Sequence, residues 1–385
     1  MDVRRAVNEG RCLVDPRPLL RYDFGPGHPF KVHRLGLVFD LLEAYGLVNL
    51  DSVHLILPRE AETDEACRFH TAAYLEVLRL ADTGLWTPNL FAHGLGTADN
   101  PVFPGVYEWA LSVAGASIDC ARELMAGDAG RAFNPAGGLH HAMPSRASGF
   151  CHVNDAALAI HALVASGRRV AYVDIDAHHG DGVQHAFYDR PEVLTVSVHQ
   201  TGTTIFPGTG FAHELGGSRA KGAAVNVPLP PGAADDLYER VAAEILDPVI
   251  ELYAPDVLVT QLGADALRGD RVASLNMSLR QFERTVRRFA SVGVPWLALG
   301  GGGYDVGNVV RAWTLSWAVM NDVTLPEALP EGWSSRPEAL EISALALRGN
   351  GPTGPSPGLA VDDVERTIAG VRETVFPLLE ALARG

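Results

Sequence analysis

Four short segments of the chain hold residue types that could do chemistry. The densest is Tyr172-Val-Asp174-Ile-Asp176-Ala-His178-His179-Gly180-Asp181, which begins as a strand and ends as a polar turn. Period-two alternation puts Asp174 and Asp176 on one face. Carboxylates at the end of a buried strand are costly unless a metal or a counter-charge holds them. A lone Asp-x-Asp is as commonly a hydrogen-bonded turn, but three carboxylates and two histidines in so short a span point to a metal. The second segment, Leu258-Val-Thr-Gln-Leu-Gly-Ala-Asp265, is another strand running into a carboxylate. Ligands gather at the carboxyl ends of strands in open α/β sheets. Two such strands can meet at one ion as a two-Asp, one-His set that leaves a position open for water. Taken alone, Asp265 has roughly a one-in-three chance of being a helix N-cap instead.

The third segment, Phe133-Asn-Pro-Ala-Gly-Gly-Leu-His140-His141, leads through glycines to paired histidines. Neighbouring histidines do not readily face one metal from a strand, but in a loop they can sit side by side as an acid/base pair. An isolated His-His is more often solvated surface. Here the glycines permit close backbone approach, and Gly149-Phe150-Cys151-His152 offers an aromatic wall. The fourth segment, Leu297-Ala-Leu-Gly300-Gly-Gly-Gly303-Tyr304, has neither the Lys-Ser/Thr of a phosphate loop nor the glycine spacing of a dinucleotide site. Four glycines are a poor way to pack a core, but they can swing a phenol into a cleft.

These segments need a frame that brings strand ends together. Runs of aliphatic and β-branched residues predict strands at 53–57, 170–175, 193–198, 256–261 and 294–299. Three-to-four residue apolar spacing predicts helices at 35–44, 106–125, 154–166, 237–252 and 279–291. Strands alternating with helices imply an α/β fold, a single domain whose parallel sheet has helices on both faces. Residues 348–360 read as a Gly/Pro-rich loop. After it, Val364, Ile368, Val371, Val375, Leu378 and Leu382 mark one face of a helix over 361–385, kinked at Pro377 and packed back on the domain of residues 1–347.

Composition narrows the function. The 385 residues, 47% of them hydrophobic, suffice for a large folded domain. A formal charge of −15 would repel phosphate backbones and favours basic peptides over nucleic acid. The first residues lack the apolar core of a signal peptide, and no apolar run approaches the length of a membrane span, so a cytoplasmic protein with no membrane partner is expected. Cys12, Cys67, Cys120 and Cys151 are scattered without a C-x-x-C pair, which indicates neither a disulfide framework nor a thiolate metal site.

From about Tyr22 to Val319 the chain resembles the arginase-like-fold deacetylases, the histone deacetylase superfamily that includes class I histone deacetylases and bacterial acetoin-utilisation AcuC-type proteins. The resemblance rests on Gly25-Pro-Gly-His28-Pro, Asn134-Pro-Ala-Gly-Gly-Leu-His-His141, Asp174-Ile-Asp-Ala-His-His-Gly-Asp-Gly182 and Phe206-Pro-Gly-Thr-Gly210, and the wording is closest to the AcuC-type branch. It implies a three-layer α/β/α deacetylase domain and hydrolysis of acetyl-lysine in proteins, with acetyl-CoA synthetase as the suggested substrate. It implies zinc on Asp176, His178 and Asp265, with Fe2+ open as the metal used in the cell. Structural K+ would lie at Asp174, Asp176, His178, Ser197 and Val198. Asp174 would orient His140 and Asp181 would orient His141, the general base, while Tyr304 polarises the carbonyl. Gly149, Phe150 and Phe206 would form the acyl-lysine tunnel, Asp99 its rim carboxylate and Val272 its gatekeeper. Lys31 and Arg271 match an inositol-phosphate pocket, but Gly307 replaces an arginine, which argues against corepressor bridging.

Rivals follow from the same residues. An arginase-type hydrolase needs bridging carboxylates for two manganese ions, and Ala266-Leu-Arg-Gly-Asp270 does not supply them. An acetylpolyamine deacetylase would share the zinc chemistry but calls for an acidic group where Val272 stands. A binding-only acyl-lysine reader requires a lost catalytic group, and none is missing.

Overall fold

The computed structural model describes residues 8–85, 89–343, 345–349, 351 and 353–384. The first residues, from which the absence of a signal peptide was read, lie largely outside this range. Eight strands, β1 (Arg11–Val14), β2 (Val53–Ile56), β3 (Arg131–Asn134), β4 (Val170–Asp174), β5 (Val193–Gln200), β6 (Ala224–Leu229), β7 (Val257–Gln261) and β8 (Trp296–Leu299), form one sheet. Their order is β2-β1-β3-β8-β7-β4-β5-β6. Every pairing is parallel.

Both faces of the sheet are covered, as a parallel sheet requires. Alternate residues of a strand enter different cores: Val170 and Tyr172 pack in one apolar cluster, Ala171 and Val173 in the other. The expected single α/β domain with helices around a parallel sheet is the observed architecture. Among the described residues, no helix is long and apolar enough to cross a membrane.

β1, β3 and β6 were not among the expected strands. β1 and β3 are four residues each and begin with an arginine, too short for a period to show. β6 contains Asn226 and Pro228, and it can hold a proline because it is an edge strand. The helix expected at 237–252 is three pieces, Asp235–Val241, a π-helical turn Ala242–Leu246, and Asp247–Tyr253. Pro248 has no N–H to give the carbonyl of Glu244, and Arg372 Nη1 reaches that oxygen at 3.3 Å.

The last helix, Gly358–Arg384, lies against β6 and against Asp247–Tyr253. It starts earlier than the breaker-rich composition suggests, because Pro357 offers its carbonyl to the Ala360 and Val361 amides and Gly358 occupies the first turn. Its buried stripe runs Val364, Ile368, Val371, Val375 and Leu379, with Leu378 only half-buried.

Candidate active site

Four consecutive strands of the sheet, β3, β8, β7 and β4, send the loops after their carboxyl ends to one place. β4 ends at Asp174, in register with Ser197 of β5 and Gln261 of β7. The turn beyond it brings His178 Nδ1 to 3.0 Å from Asp176 Oδ1 and 3.0 Å from Asp265 Oδ2. The ligating atoms of Asp176, His178 and Asp265 all lie within 4.8 Å of one another. All three side chains are buried, the two carboxylates at 1% and 0% exposure. Burial and the charge of Asp176 push the Asp265 carboxyl above its ordinary range. Burial would lower the His178 imidazole, but hydrogen bonds to both carboxylates hold it above its usual value. Two buried carboxylates crowded around one imidazole are a donor set suited to a divalent cation.

Backbone and side-chain donors fix these ligands. Gln261 Nε2 donates to Asp176 Oδ2 at 2.6 Å and the Gly302 amide to the same atom at 2.9 Å. The Ala177 amide donates to Asp265 Oδ1 at 2.8 Å. The glycine run after β8 is explained by this closeness. A Cβ on Gly302 would meet Asp265 Oδ2 at 2.2 Å, and one on Gly301, at φ +118°, would meet Gln261 Nε2 at 2.1 Å.

The loop after β3 delivers the histidines. His140 Nδ1 lies 2.7 Å from Asp174 Oδ2 and His141 Nδ1 lies 2.7 Å from Asp181 Oδ1. The two Nε2 atoms are 3.0 Å apart. Burial opposes charge on both rings. At His140 the charges of Asp174 and Asp176 overcome it and raise the imidazole to about 9. At His141 burial, reinforced by His140, wins and lowers the ring to about 4. The opposed shifts favour charge on His140 over His141, with the two Nε2 atoms facing each other. Burial would raise Asp181, but its interaction with His141, Nδ1 to Oδ1, brings it below its ordinary value.

Tyr304 follows the glycines with its ring edge-on to Phe150, centroids 5.6 Å apart. Burial and the charges of Asp265 and Asp176 push its phenol well up, so it stays a donor. Phe150, at φ +68°, also meets His28 edge-on at 4.6 Å. Phe206 meets His141 at 5.0 Å, and a Cβ on Gly149 would strike both His141 and Phe206. A narrow cavity is lined by Phe30, Phe150, Gly149, Leu139 and Tyr304 together with His140, His141 and Asp176.

Asp99 is exposed, in a groove shared with Gly25, His28 and Phe150, where His28 Nε2 lies 3.1 Å from the Asp99 carbonyl oxygen. Val272 is also exposed. Ser197 Oγ is 2.8 Å from His199 Nδ1, and Val198 is buried beside it in β5. His179 turns away from the carboxylates to Thr209 Oγ1 at 2.9 Å and Gln184 Oε1 at 3.1 Å, so it anchors the Phe206-Pro-Gly-Thr-Gly loop.

Several positioning residues escaped sequence reasoning. Asp155 accepts from the Gly138 and Leu139 amides at 3.0 and 2.8 Å and pins the loop before His140. Asn154 Nδ2 donates to the His140 and Ala142 carbonyls, both at 3.1 Å, while its Oδ1 caps the helix Asp155–Ala165. Asp270 Oδ2 accepts from the Tyr304 amide at 2.7 Å and its Oδ1 from the Val272 amide at 2.9 Å. Arg34, buried, donates to the Gly301 and Gly303 carbonyls. Only Asn154-Asp155 carried a local signal, an Asx pair at the start of an apolar helix.

Comparison with known proteins agrees with this geometry. Residues 28–320 match the Histone deacetylase domain family. Over 311 residues the chain is 42% identical to histone deacetylase 3 of Oryza sativa subsp. japonica, covering 80% of this chain and 61% of that protein. Over 312 residues it is 39% identical to histone deacetylase 1 of Homo sapiens, covering 80% and 64%. The chain thus matches a little over three fifths of the length of these curated relatives. A crystal structure of an HDAC homolog complexed with SAHA superposes with a TM-score of 0.83 at 31% identity, covering 93% of this chain and 99% of that one. An HDAC homolog from Aquifex aeolicus gives 0.82 at 30% identity, covering 93% and 100%. The sequence, the fold and the place where its strand ends converge agree, and the chain belongs to the histone deacetylase family.

Proposed function

We propose that this protein is a zinc-dependent lysine deacetylase that hydrolyses the acetamide of N6-acetyl-lysine in proteins or peptides and releases acetate. The observation that carries the reading is that Asp176, grouped with His178 and Asp265, lines one narrow cavity together with the His140–His141 pair and Tyr304. Asp176, His178 and Asp265 would hold the ion, which when bound supplies Lewis-acid polarisation of a carbonyl oxygen and a lowered pKa for water.

The chain's own groups do the rest. The apolar walls at Gly149, Phe150 and Phe206 exclude bulk water along the side chain of the substrate. The Tyr304 hydroxyl donates to the acetamide oxygen as negative charge develops there. His141 Nε2, neutral and oriented through Asp181, accepts a proton from the attacking water. It then returns that proton to the lysine nitrogen as the C–N bond breaks. His140, charged beside Asp174, adds positive potential next to the forming oxyanion.

The finer reading is an AcuC-like, cytoplasmic role with acetyl-CoA synthetase among its protein substrates, supported by the motif wording. Structural K+ beside Asp174, Ser197 and Val198 belongs to the same proposal, supported by the register that sets Asp174 against Ser197. Inositol-phosphate bridging is left out of it. Gly307 has no side chain to offer, and Lys31 Nζ already donates to the Pro26 carbonyl at 2.8 Å.

The test is acetate release from acetyl-lysine peptides, with metal content measured alongside. Asp176→Ala and His178→Ala should each lose both metal and turnover. Hydroxamates, bidentate and slim enough for the cavity, should inhibit at low concentration. Stoichiometric zinc retained in both variants would refute the ligand assignment, and a zinc-loaded protein that releases no acetate from any acetyl-lysine peptide would refute the activity.

A further inference from the structure

Folding brings together two of the cysteines that the sequence scatters. Cys12 of β1 stands in register with His54 of β2. In-register residues on adjacent parallel strands point to the same face. The helix Val106–Ala126 packs on that face and presents Cys120 and Glu123, three residues apart and therefore on one side of it. His54 Nε2 lies 2.9 Å from Glu123 Oε2. The Cys12 sulfur, a His54 nitrogen and a Glu123 oxygen all fall within 4.8 Å of one another, and Cys120 packs in the same buried cluster as Cys12.

Three of these four donors are already gathered as an ion would need them. Zinc–nitrogen and zinc–oxygen bonds of about 2.0–2.1 Å and zinc–sulfur bonds of about 2.3 Å put neighbouring donors roughly 3.3–3.8 Å apart. His54 and Glu123 at 2.9 Å, with the Cys12 sulfur within 4.8 Å of both, are near that range, and rotation of the Cys120 side chain would supply the fourth donor. Exposure is graded in the direction an entering ion needs. Both cysteines are at 0%, whereas the His54 and Glu123 side chains are 42% and 26% exposed. As a plain ion pair, His54 and Glu123 at that exposure would contribute little to stability.

We propose that Cys12, Cys120, His54 and Glu123 form a second metal site, separate from the Asp176 centre, that takes a borderline-soft divalent ion such as zinc. Binding releases two thiol protons to solvent, and the two thiolates, one carboxylate and neutral imidazole close the coordination shell. A shell with no open position is a structural one. It would staple β1 and the edge strand β2 to the helix Val106–Ala126, at the end of the sheet remote from β6.

Cobalt(II) substitution separates the two sites, because only this one contains sulfur. The metal-free protein, kept reduced with a phosphine, is titrated with cobalt(II) and followed in the near ultraviolet for thiolate-to-cobalt charge transfer. The expected result is that band together with a second equivalent of bound cobalt. Cys12→Ser should lose the band and one equivalent while deacetylase turnover is unchanged. His54→Gln, at a part-exposed position, should lose the equivalent and shift or abolish the band even if the buried serine variant fails to fold. Asp176→Asn should do the reverse, losing turnover and the other equivalent while the band remains, so failure of the catalytic reading is told apart from failure of this one. A wild-type protein without the charge-transfer band, a band that survives both Cys12→Ser and His54→Gln, or a Cys12–Cys120 disulfide in the purified protein would each overturn the proposal.

Discussion

The Nε2 atoms of His140 and His141 lie 3.0 Å apart, while each ring gives its Nδ1 to a different carboxylate at 2.7 Å. Two imidazoles so close cannot both be charged at modest cost. The asymmetry comes from their surroundings. His140 has Asp174 at Nδ1 and Asp176 3.9 Å from Nε2, whereas His141 has the Asp181 carboxylate against the lowering effect of burial, His140 and His178.

The two histidines should therefore fail differently. His141→Phe removes the neutral acceptor and should lower kcat by about 10² to 10⁴. His140→Phe removes a charge rather than the base and should cost less. Asp181→Asn should resemble a mild form of the first variant. Steady-state kinetics on one acetyl-lysine peptide checks this order, and a larger loss for His140→Phe than for His141→Phe would reverse the assignment.

Asp270 should act through Tyr304. Its carboxylate bridges the Tyr304 and Val272 amides and so ties the phenol's backbone to the loop after β7. Asp270→Asn weakens charge-assisted bonds worth about 1.5–3 kcal/mol each, and kcat should drop about tenfold or more with KM and zinc content little changed. In a Tyr304→Phe background the same change should have almost no further effect, because there is no phenol left to position. Losses that simply add would show that Asp270 supports the fold rather than the tyrosine.

The centre was legible in the sequence because its residues sit in local clusters. Asp174, Asp176, His178 and Asp181 fall in one short segment, and the glycines before Tyr304 and His140 mark close approach. What joins the clusters was not legible. Gln261 reaches the Asp176 carboxylate, and Asp155, Asp270 and Arg34 hold backbone groups, each in another segment that no spacing displays. Short strands hid for the same reason. β1 has four residues, and it became recognisable only once it lay between β2 and β3. The cysteines show the limit most plainly, since Cys12 and Cys120 are distant in the chain and meet only through register and packing.

Acid should loosen the site through His70. This buried ring accepts the Asn154 amide at Nε2 across 3.0 Å, and Asn154 in turn holds the His140 carbonyl. Burial pushes His70 down to about 4. A base with a depressed folded value takes its proton first in the unfolded chain. Its contribution is therefore intact above the ordinary value of about 6.5 and lost as pH falls from there toward 4. At pH 5 the cost is about 2 kcal/mol. Chemical denaturation at pH 7.5 and pH 5 should show a smaller drop for His70→Gln, whose amide oxygen can still accept from Asn154, than for wild type. Equal drops would exclude His70 as the acid-sensitive group.

Acetyl-lysine peptides should be far better substrates than acetylpolyamines. At the mouth of the cavity Asp99 stands exposed beside His28 and Phe150, placed to accept peptide N–H groups flanking the acetylated lysine. Val272, also exposed, offers no carboxylate to a distal ammonium. Two charge-assisted bonds at about 1.5–3 kcal/mol each are enough for at least tenfold selectivity. Asp99→Ala should accordingly weaken peptide turnover through KM while zinc content and hydroxamate binding stay close to wild type, because the side chain is remote from the metal ligands. The measurement is kcat/KM for an acetyl-lysine peptide against N8-acetylspermidine in wild type and in Asp99→Ala. If the polyamine is the better substrate of the wild type, the substrate class is wrong. If Asp99→Ala leaves the peptide rate untouched, the peptide backbone is held by some group other than Asp99.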